Sequence, residues 1–396
     1  MSDNIATLKN DECFGCRSCE QICPKKCISI LPDEEGFLYP SVDEKFCIDC
    51  GLCTKHCPAM LNLTEKEPKA FFAVRLKDSS VIMESSSGGI FAGLAEYIIE
   101  NGGTVFGCAF NENLQAQHIK VNNYKDLQAL KKSKYVTSNT LRTYSEVSEI
   151  LKEEPKKFVL YTGTPCQIHG LYSFLGKTPD NLFTADIICH GVPSQKLFDK
   201  YLEWLGKKQC GKILYYGFRD KDVAGWACAG KAKTKTKTKT INGAIDPYYS
   251  SFMRGDTYRY SCYKCPFTNI RKRPADITMG DFWGIEFSHP GFYSNKGVSC
   301  CLINTEIGRK LFEKTVEKFD YIETSGEKIT FLNGNLLHPT AKPSVRESIY
   351  NGIDEIPADK FIRRLYAPIH KRIIRYFISQ IPHSLKTFFK RLKYGF

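Results

Sequence analysis

Cys13, Cys16, Cys19, Cys23 and Pro24 recur 34 residues later as Cys47, Cys50, Cys53, Cys57 and Pro58, a C-x2-C-x2-C-x3-C-P run in both copies. No other feature restricts the fold so tightly. Three closely spaced cysteines can wrap three corners of an iron–sulfur cubane from one loop, and the fourth, before proline, ligates the other cluster. The repeat therefore assigns Cys13, Cys16, Cys19 and Cys57 to one [4Fe–4S] centre, and Cys47, Cys50, Cys53 and Cys23 to a second. Zinc sites usually show two separated C-x2-C pairs instead. Cys27 lies just outside the motif and reads as a packed thiol. A short strand is expected at 28–31, a turn at 32–36 and an extended piece at 37–39. So little apolar material remains that a module spanning 1–62 must be held together by its metal centres.

The whole chain has 396 residues and 18 cysteines, with 42% hydrophobic and 25% charged residues. That is long enough for two or three domains, and it has no apolar run of bilayer length. The start of the chain lacks the basic and apolar stretches of a secretory signal, so the cytoplasm is the expected compartment. In a reducing compartment so many cysteines imply metal or redox chemistry rather than disulfides. Ten of the net +13 charges fall between Lys360 and Phe396, where there is no acid. The basicity belongs to a tail, so no nucleic-acid partner is expected.

After a polar linker at 64–68, apolar runs alternate with helical periodicity, an α/β layout. Strands are expected at 70–75, 103–110, 117–121, 158–161, 183–189, 213–218, 276–279 and 299–304. Helices are expected over 89–100, 145–153, 167–175, 194–206 and 306–319. The fold class is thus a small α+β dicluster module (1–62), an α/β domain with a mixed sheet (68–345) and a helical basic tail (346–396). The Lys/Thr alternation at 231–240, ending at Asn242-Gly243, fits a solvated edge strand entering a hairpin. Ser85-Ser86-Ser87-Gly88-Gly89 precedes a helix, where exposed N–H groups suit a phosphate and an ordinary serine-rich cap looks the same.

Three patches are built alike, namely Gly163-Thr164-Pro165-Cys166-Gln167, Cys189-His190-Gly191-Val192-Pro193, and Cys262-x2-Cys265-Pro266. The first two each follow a strand, which places a cysteine at the carboxyl edge of the sheet, where α/β proteins build their sites. Cys166, Cys189, Cys262 and Cys265 can then converge on a third metal centre; each taken singly reads as a small buried hydrophobe. Cys108, Cys210, Cys228, Cys300 and Cys301 have no partner at ligand spacing, and Cys300-Cys301 sits in an apolar strand.

These patches, together with Ser133-Lys134-Tyr135-Val136, Phe218-Arg219, Gly225-Trp226 and the run Asp276-Ile277-Thr278-Met279-Gly280-Asp281-Phe282-Trp283-Gly284, resemble in their order the beta-subunit family of coenzyme F420 (deazaflavin) hydrogenases and dehydrogenases. The resemblance covers roughly 68–325. It implies an FAD-binding α/β domain with an iron–sulfur cluster beside the flavin. Carried over, Ser86, Ser87, Gly88 and Gly89 face the FAD phosphates, and Lys134 with Thr162, Gly163, Thr164 and Pro165 lies near the flavin. His190 and Asp281 stand beside the cluster cysteines, with His190 either a proton relay or a histidine satisfied by its loop.

The expected function is that of an iron–sulfur flavoprotein oxidoreductase. It passes electrons between [4Fe–4S] clusters and FAD, and a hydride to or from an organic substrate. That substrate is a deazaflavin coenzyme or a small metabolite of cell-surface polysaccharide synthesis. The alternative is an electron-transfer subunit without its own substrate. A redox partner protein or small-molecule donor is implied by both. In the tail, Ile369, Ile373, Ile374, Phe377 and Ile381 lie near helical spacing among cations. After Pro382 the pattern resumes with Leu385, Phe388, Phe389 and Leu392. Residues 360–396 are therefore expected to contact the inner face of a membrane peripherally, or to dock on an acidic partner or on the body itself.

Overall fold

The computed structural model describes residues 4–381 and 383–394; Pro382, the expected break in the tail, and Phe396, its expected end, lie outside them. Each copy of the cysteine repeat ends on a short helix, α1 (Ser18–Ile22) and α2 (Leu52–Lys55), entered through the left-handed residues Arg17 and Gly51. Between them β1 (Ile28–Pro32) and β2 (Leu38–Val42) pair antiparallel. Gly36 turns the chain at φ +85° and donates to the Asp33 carbonyl at 2.9 Å. The interior of this module holds Ile5, Ile28 and four cysteines, 19, 27, 53 and 57.

The second region is built on β3 (Ala70–Leu76), β4 (Thr104–Phe110), β5 (Ala116–Val121), β6 (Val159–Gly163), β7 (Leu182–Ile187), β8 (Tyr215–Gly217), β9 (Ala229–Lys233), β10 (Thr238–Asn242), β11 (Ile277–Asp281), β12 (Ser299–Ile303) and β13 (Phe319–Glu323). Eight of them form one mixed sheet in the order β13-β3-β12-β11-β7-β6-β4-β5. Its centre, β4, β6, β7 and β11, is parallel; every outer pairing is antiparallel. Parallel strands need cover on both faces. Helix α3 (Ile90–Glu100) supplies one cover through Leu94 and Ile98, which share a cluster with Leu160 and Phe183. Helix α4 (Pro165–Leu175) supplies the other through Ile168 and Leu171, clustered with Val159 and Tyr161. Successive residues of β6 thus point to opposite faces.

Several boundaries differ from expectation for identifiable reasons. The strand at 213–218 shrinks to β8 and joins β9 and β10 in a separate three-stranded sheet. The hairpin turn lies inside the Lys/Thr run, where Thr234 Oγ1 accepts from Lys237 N at 3.0 Å, and not at Asn242-Gly243. After α5 (Gln195–Gln209), helix α6 (Glu306–Thr315) ends short of 319, and the chain leaves as β13 because Phe319 and the residues after it pair with the β3 edge. The segment expected to open the tail is instead body: Arg346, Ile349, Tyr350, Ile353, Phe361, Ile362 and Leu365 are buried, most of them against α5 residues such as Phe198 and Tyr201. The helical tail proper is α7 (Ile369–Gln380) and α8 (His383–Tyr394).

Candidate redox centres

The structure groups the module's cysteines crosswise. Cys13, Cys16, Cys19 and Cys57 line one cavity with Gly15, Ile30 and Pro58. Cys23, Cys47, Cys50 and Cys53 line a second, so the cysteine before each proline joins the other copy's triplet. Among the described residues no three His, Cys, Asp or Glu side chains converge where a single ion would sit. Burial pushes Cys57 up to about 11 and Cys16 and Cys19 higher still, with the neighbouring thiols adding to the rise. Thiolates packed this densely call for a cationic core to hold them. Cys27 shares the second cavity, its Sγ 3.5 Å from that of Cys23, and burial together with that neighbour pushes it up to about 12. Cys50 is exposed, beside exposed Phe46 and Ile48, whereas Cys13, Cys16, Cys19 and Cys57 are buried. The two cavities are an outer and an inner one.

The inner cavity is clamped to the body. Arg259, 1% exposed, donates from Nε to the Cys13 carbonyl at 2.7 Å and from Nη2 to the Leu38 carbonyl at 2.9 Å, with its guanidinium 4.0 Å from the Tyr39 ring centroid. Ser261 Oγ donates to the same Cys13 carbonyl at 3.0 Å, and Thr140 Oγ1 to the Cys16 carbonyl at 3.0 Å. Farther out, Arg346 pairs with Glu35. Helix α4 approaches closely because Gly170 has no side chain: a Cβ there would stand 3.1 Å from Cys16 Sγ.

The first turn of α4 carries Cys166. Thr164 caps this helix reciprocally with Gln167, and its Oγ1 lies 3.1 Å from Cys166 Sγ. Cys189 follows β7, and Cys262 and Cys265 lie in and just after the short helical turn that follows Arg259. The fold brings these four together: burial raises all of them, Cys262 and Cys265 to about 12, and Cys189 is raised further by Cys262, Cys166 and Cys265. Arg259 bridges this group and the inner cavity. Its Nη1 is buried without a hydrogen-bond partner, an orphaned donor beside Gly15 of the first cysteine loop. That donor and the four-thiol set fit a third cluster.

The residues carried over for the flavin fall in two places. Ser86 Oγ accepts from Ser133 N and Oγ at 2.8 and 2.9 Å, joining the serine loop to the segment of Lys134. Lys131, Lys132, Ser133 and Lys134 line one cavity with Tyr215, Tyr216 and Gly217. Lys134 Nζ donates to the Ala129 and Lys131 carbonyls, and burial brings it down to about 8. Ser87 Oγ donates to the Val298 carbonyl. Gly88 and Gly89 have a packing reason for their identity, since a Cβ would meet the Val74 carbonyl at 2.3 Å and Leu76 at 2.6 Å. Thr162, Gly163, Thr164 and Pro165 lie at the carboxyl end of β6, directly before Cys166.

Asp281 ends β11 and pairs with Arg219 at 3.0 Å while accepting from Trp226 Nε1 at 2.6 Å. Trp226 stacks on Trp283 at 5.0 Å. Burial lowers His190, against the opposing charge of Asp281. Sequence reasoning missed Arg259 and His118. His118 is fully buried, its Nε2 3.0 Å from the Thr162 carbonyl and its Nδ1 3.2 Å from Ser138 Oγ, and burial lowers it to about 4. Arg259 lies three residues before Cys262, the one local signal that pointed to it.

A module of clustered thiols docked on a mixed α/β sheet defines an iron–sulfur electron-transfer protein, and comparison with known proteins shows what each part is similar to. Residues 12–60 match the model for a 4Fe-4S dicluster domain, and residues 156–328 match that for the carboxyl-terminal part of the coenzyme F420 hydrogenase/dehydrogenase beta subunit. The chain thus carries a stretch similar to the carboxyl-terminal part of that beta subunit, behind a stretch similar to a dicluster ferredoxin domain. An uncharacterized ferredoxin of Methanocaldococcus jannaschii is 35% identical over 51 residues, 13% of this chain and 65% of that protein. The pyruvate synthase subunit PorD of Methanothermobacter marburgensis is 33% identical over 60 residues, 15% of this chain and 64% of that protein. The chain thus spans just under two thirds of the length of these relatives. Among solved structures, a chain of the F420-reducing [NiFe] hydrogenase complex from Methanosarcina barkeri aligns with a TM-score of 0.47 and 17% identity, over 76% of this chain and 91% of that one.

Proposed function

We propose that the chain is an iron–sulfur flavoprotein oxidoreductase that exchanges electrons at the rim of its N-terminal module and a hydride with an organic substrate in the body. The observation that carries this reading is the succession of three four-thiol groups from an exposed rim to the sheet's carboxyl edge. Cys47, Cys50, Cys53 and Cys23 would hold the outer cluster, Cys13, Cys16, Cys19 and Cys57 the inner one, and Cys166, Cys189, Cys262 and Cys265 a third. Arg259, three residues before Cys262, holds the inner group through the Cys13 carbonyl and would offer its free N–H beside Gly15. FAD, held by the Ser86–Ser133 contact region and by Lys131, Lys132 and Lys134, would supply two-electron storage and hydride transfer. Lys134, which burial brings down to about 8, would still offer a cationic donor to an anionic group at neutral pH. Arg219 and Asp281 neutralise one another, leaving the stacked Trp226 and Trp283 as a flat apolar wall for a planar substrate. Its class is that of hydride carriers such as deazaflavins, or a small metabolite of cell-surface polysaccharide synthesis.

The test is iron and flavin stoichiometry with reduction kinetics. Anaerobically reconstituted protein is expected to carry about twelve iron atoms, four per cubane, and one FAD. Cys262→Ser is expected to lose up to about four of those irons and to slow reduction of the flavin by an artificial donor. Eight irons, unchanged by that substitution, would make the four body cysteines ordinary thiols.

A second reading, an electron-transfer subunit serving a separate catalytic protein, draws on the exposed Phe46 and Ile48 beside Cys50, apolar side chains placed where another protein would dock. Flavin that is reducible but reoxidised only by a protein partner would favour it.

A further inference from the structure

The tail helices are turned the wrong way round for a free surface. An amphipathic helix on a globular protein ordinarily lays its apolar stripe on the core and shows its polar side to water. In α7 the residues nearest the body are Arg372, with its guanidinium 4.0 Å from the Tyr366 ring centroid, and Ser379, whose Oγ is 3.2 Å from Asn242 Nδ2. Ile369, Ile373, Phe377 and Ile378 stand 71%, 51%, 64% and 50% exposed, and no residue of α7 is buried. Helix α8 continues the pattern, with Phe388, Phe389 and Leu392 at 55%, 55% and 66%. The body therefore does not cover this face.

We infer that the outward face of α7 and α8 lies on an anionic lipid bilayer. Exposed Lys371 and Lys393 flank the apolar face, Arg391 reaches back to the Glu286 carbonyl, and no acid occurs anywhere from 360 to 396. Aliphatic and aromatic side chains rimmed by cations alone match the acyl–headgroup boundary of an anionic membrane. A second copy of the chain would bring the same cations against these, so self-association through this face is opposed by like charge. Each helix is 12 residues long, and among the described residues no helix is long and apolar enough to cross a bilayer. The tail lies in the interface plane rather than spanning it.

The experiment is anaerobic vesicle sedimentation of the full, cluster-loaded chain. Vesicles of phosphatidylcholine alone are compared with vesicles containing about 30% phosphatidylglycerol. Binding to the anionic vesicles is expected to be at least about tenfold tighter, and to weaken by about tenfold when salt rises from about 0.1 to about 0.5 M. The double variant Phe377→Asp/Phe388→Asp is expected to stay in the supernatant with its iron–sulfur absorbance intact. A chain ended after Ala367 is expected to do the same, which separates loss of the face from any misfolding of the variant. Equal pelleting of the intact and altered chains overturns the proposal, as does failure of the intact chain to pellet with anionic vesicles. So does a lipid-free dimer or partner complex that the same double substitution abolishes, because the face is then covered by protein.

Discussion

The N-terminal module and the α/β body fill their interiors with different atoms. In the module Ile5 and Ile28 are joined by Cys19, Cys27, Cys53 and Cys57, and the other cluster cysteines ring two cavities. In the body, α3 alone buries Ile90, Leu94, Ala95 and Ile98 against Val74, Val105, Leu160 and Phe183. Removing aliphatic surface from water stabilises a fold whatever the solution contains. Thiols around a cavity contribute mainly when something cationic fills it, so the module's stability is linked to iron by mass action, whereas the body's sheet rests chiefly on aliphatic burial. One chain therefore answers to two different variables. Where they meet, the body supplies what the module lacks: Phe37, Tyr39 and Cys13 belong to the same apolar cluster as Phe198 and Tyr258.

The sharpest way to break this contrast is to strip the iron. Chelation under oxidising conditions is expected to unfold residues 4–62, read as loss of amide protection throughout that stretch, while the eight-stranded sheet keeps its protection. A compact, protease-resistant module without iron would abolish the distinction. Next in size is the clamp between the two regions. Arg259→Met removes two buried charged hydrogen bonds and the stacking on Tyr39, and is expected to cost about 4 kcal/mol in denaturant unfolding of loaded protein, with the module detaching before the body melts. If both regions still unfold together at the wild-type midpoint, the clamp is not what couples them.

A third measurement addresses the body alone. Burial depresses His118 to about 4, from an ordinary value of 6.5. Between those values the unfolded chain binds the proton that the folded one refuses, so stability falls as pH drops from about 6.5 to about 4, by about 3 kcal/mol. His118→Gln, which retains a donor for the Thr162 carbonyl, is expected to flatten that part of the stability–pH curve. An unchanged slope would assign the acid sensitivity elsewhere. The smallest effect is expected for Cys27→Ala. Although this thiol lies 3.5 Å from Cys23, the variant should hold its full iron and shift stability by less than about 1 kcal/mol. Loss of four irons would make Cys27 a ligand.

The module was legible because its chemistry is local: ligand spacing along one loop, repeated, determines which thiols can share a cluster, and the cavities formed by Cys57 with the first triplet and Cys23 with the second follow that spacing. The central strands were legible for a related reason, since a run buried on both faces is apolar without interruption, as at Val159, Leu160 and Tyr161. Features decided by distant residues were harder to see. The helical pattern that starts at Glu306 runs on to Phe319, where the β3 edge claims the chain. The stretch from Arg346 to Leu365 looks like part of a basic tail until α5 and Glu35 give its side chains partners. Arg259 carries no motif of its own; its role appears only when Cys13, 246 residues away, is placed against it.

That separation has a consequence in time. The partners that hold the module, Arg259 for Cys13 and Arg346 for Glu35, lie 246 and 311 residues farther along the chain. At roughly 5–20 residues per second, a ribosome needs on the order of a quarter of a minute to a minute to reach Arg346 after Glu35 has been made. Throughout that interval the cysteine loops are finished but their dock does not exist. Iron delivered during synthesis must order the cysteine loops unaided; iron delivered afterwards orders them with Arg259 and Arg346 already present to close on the result.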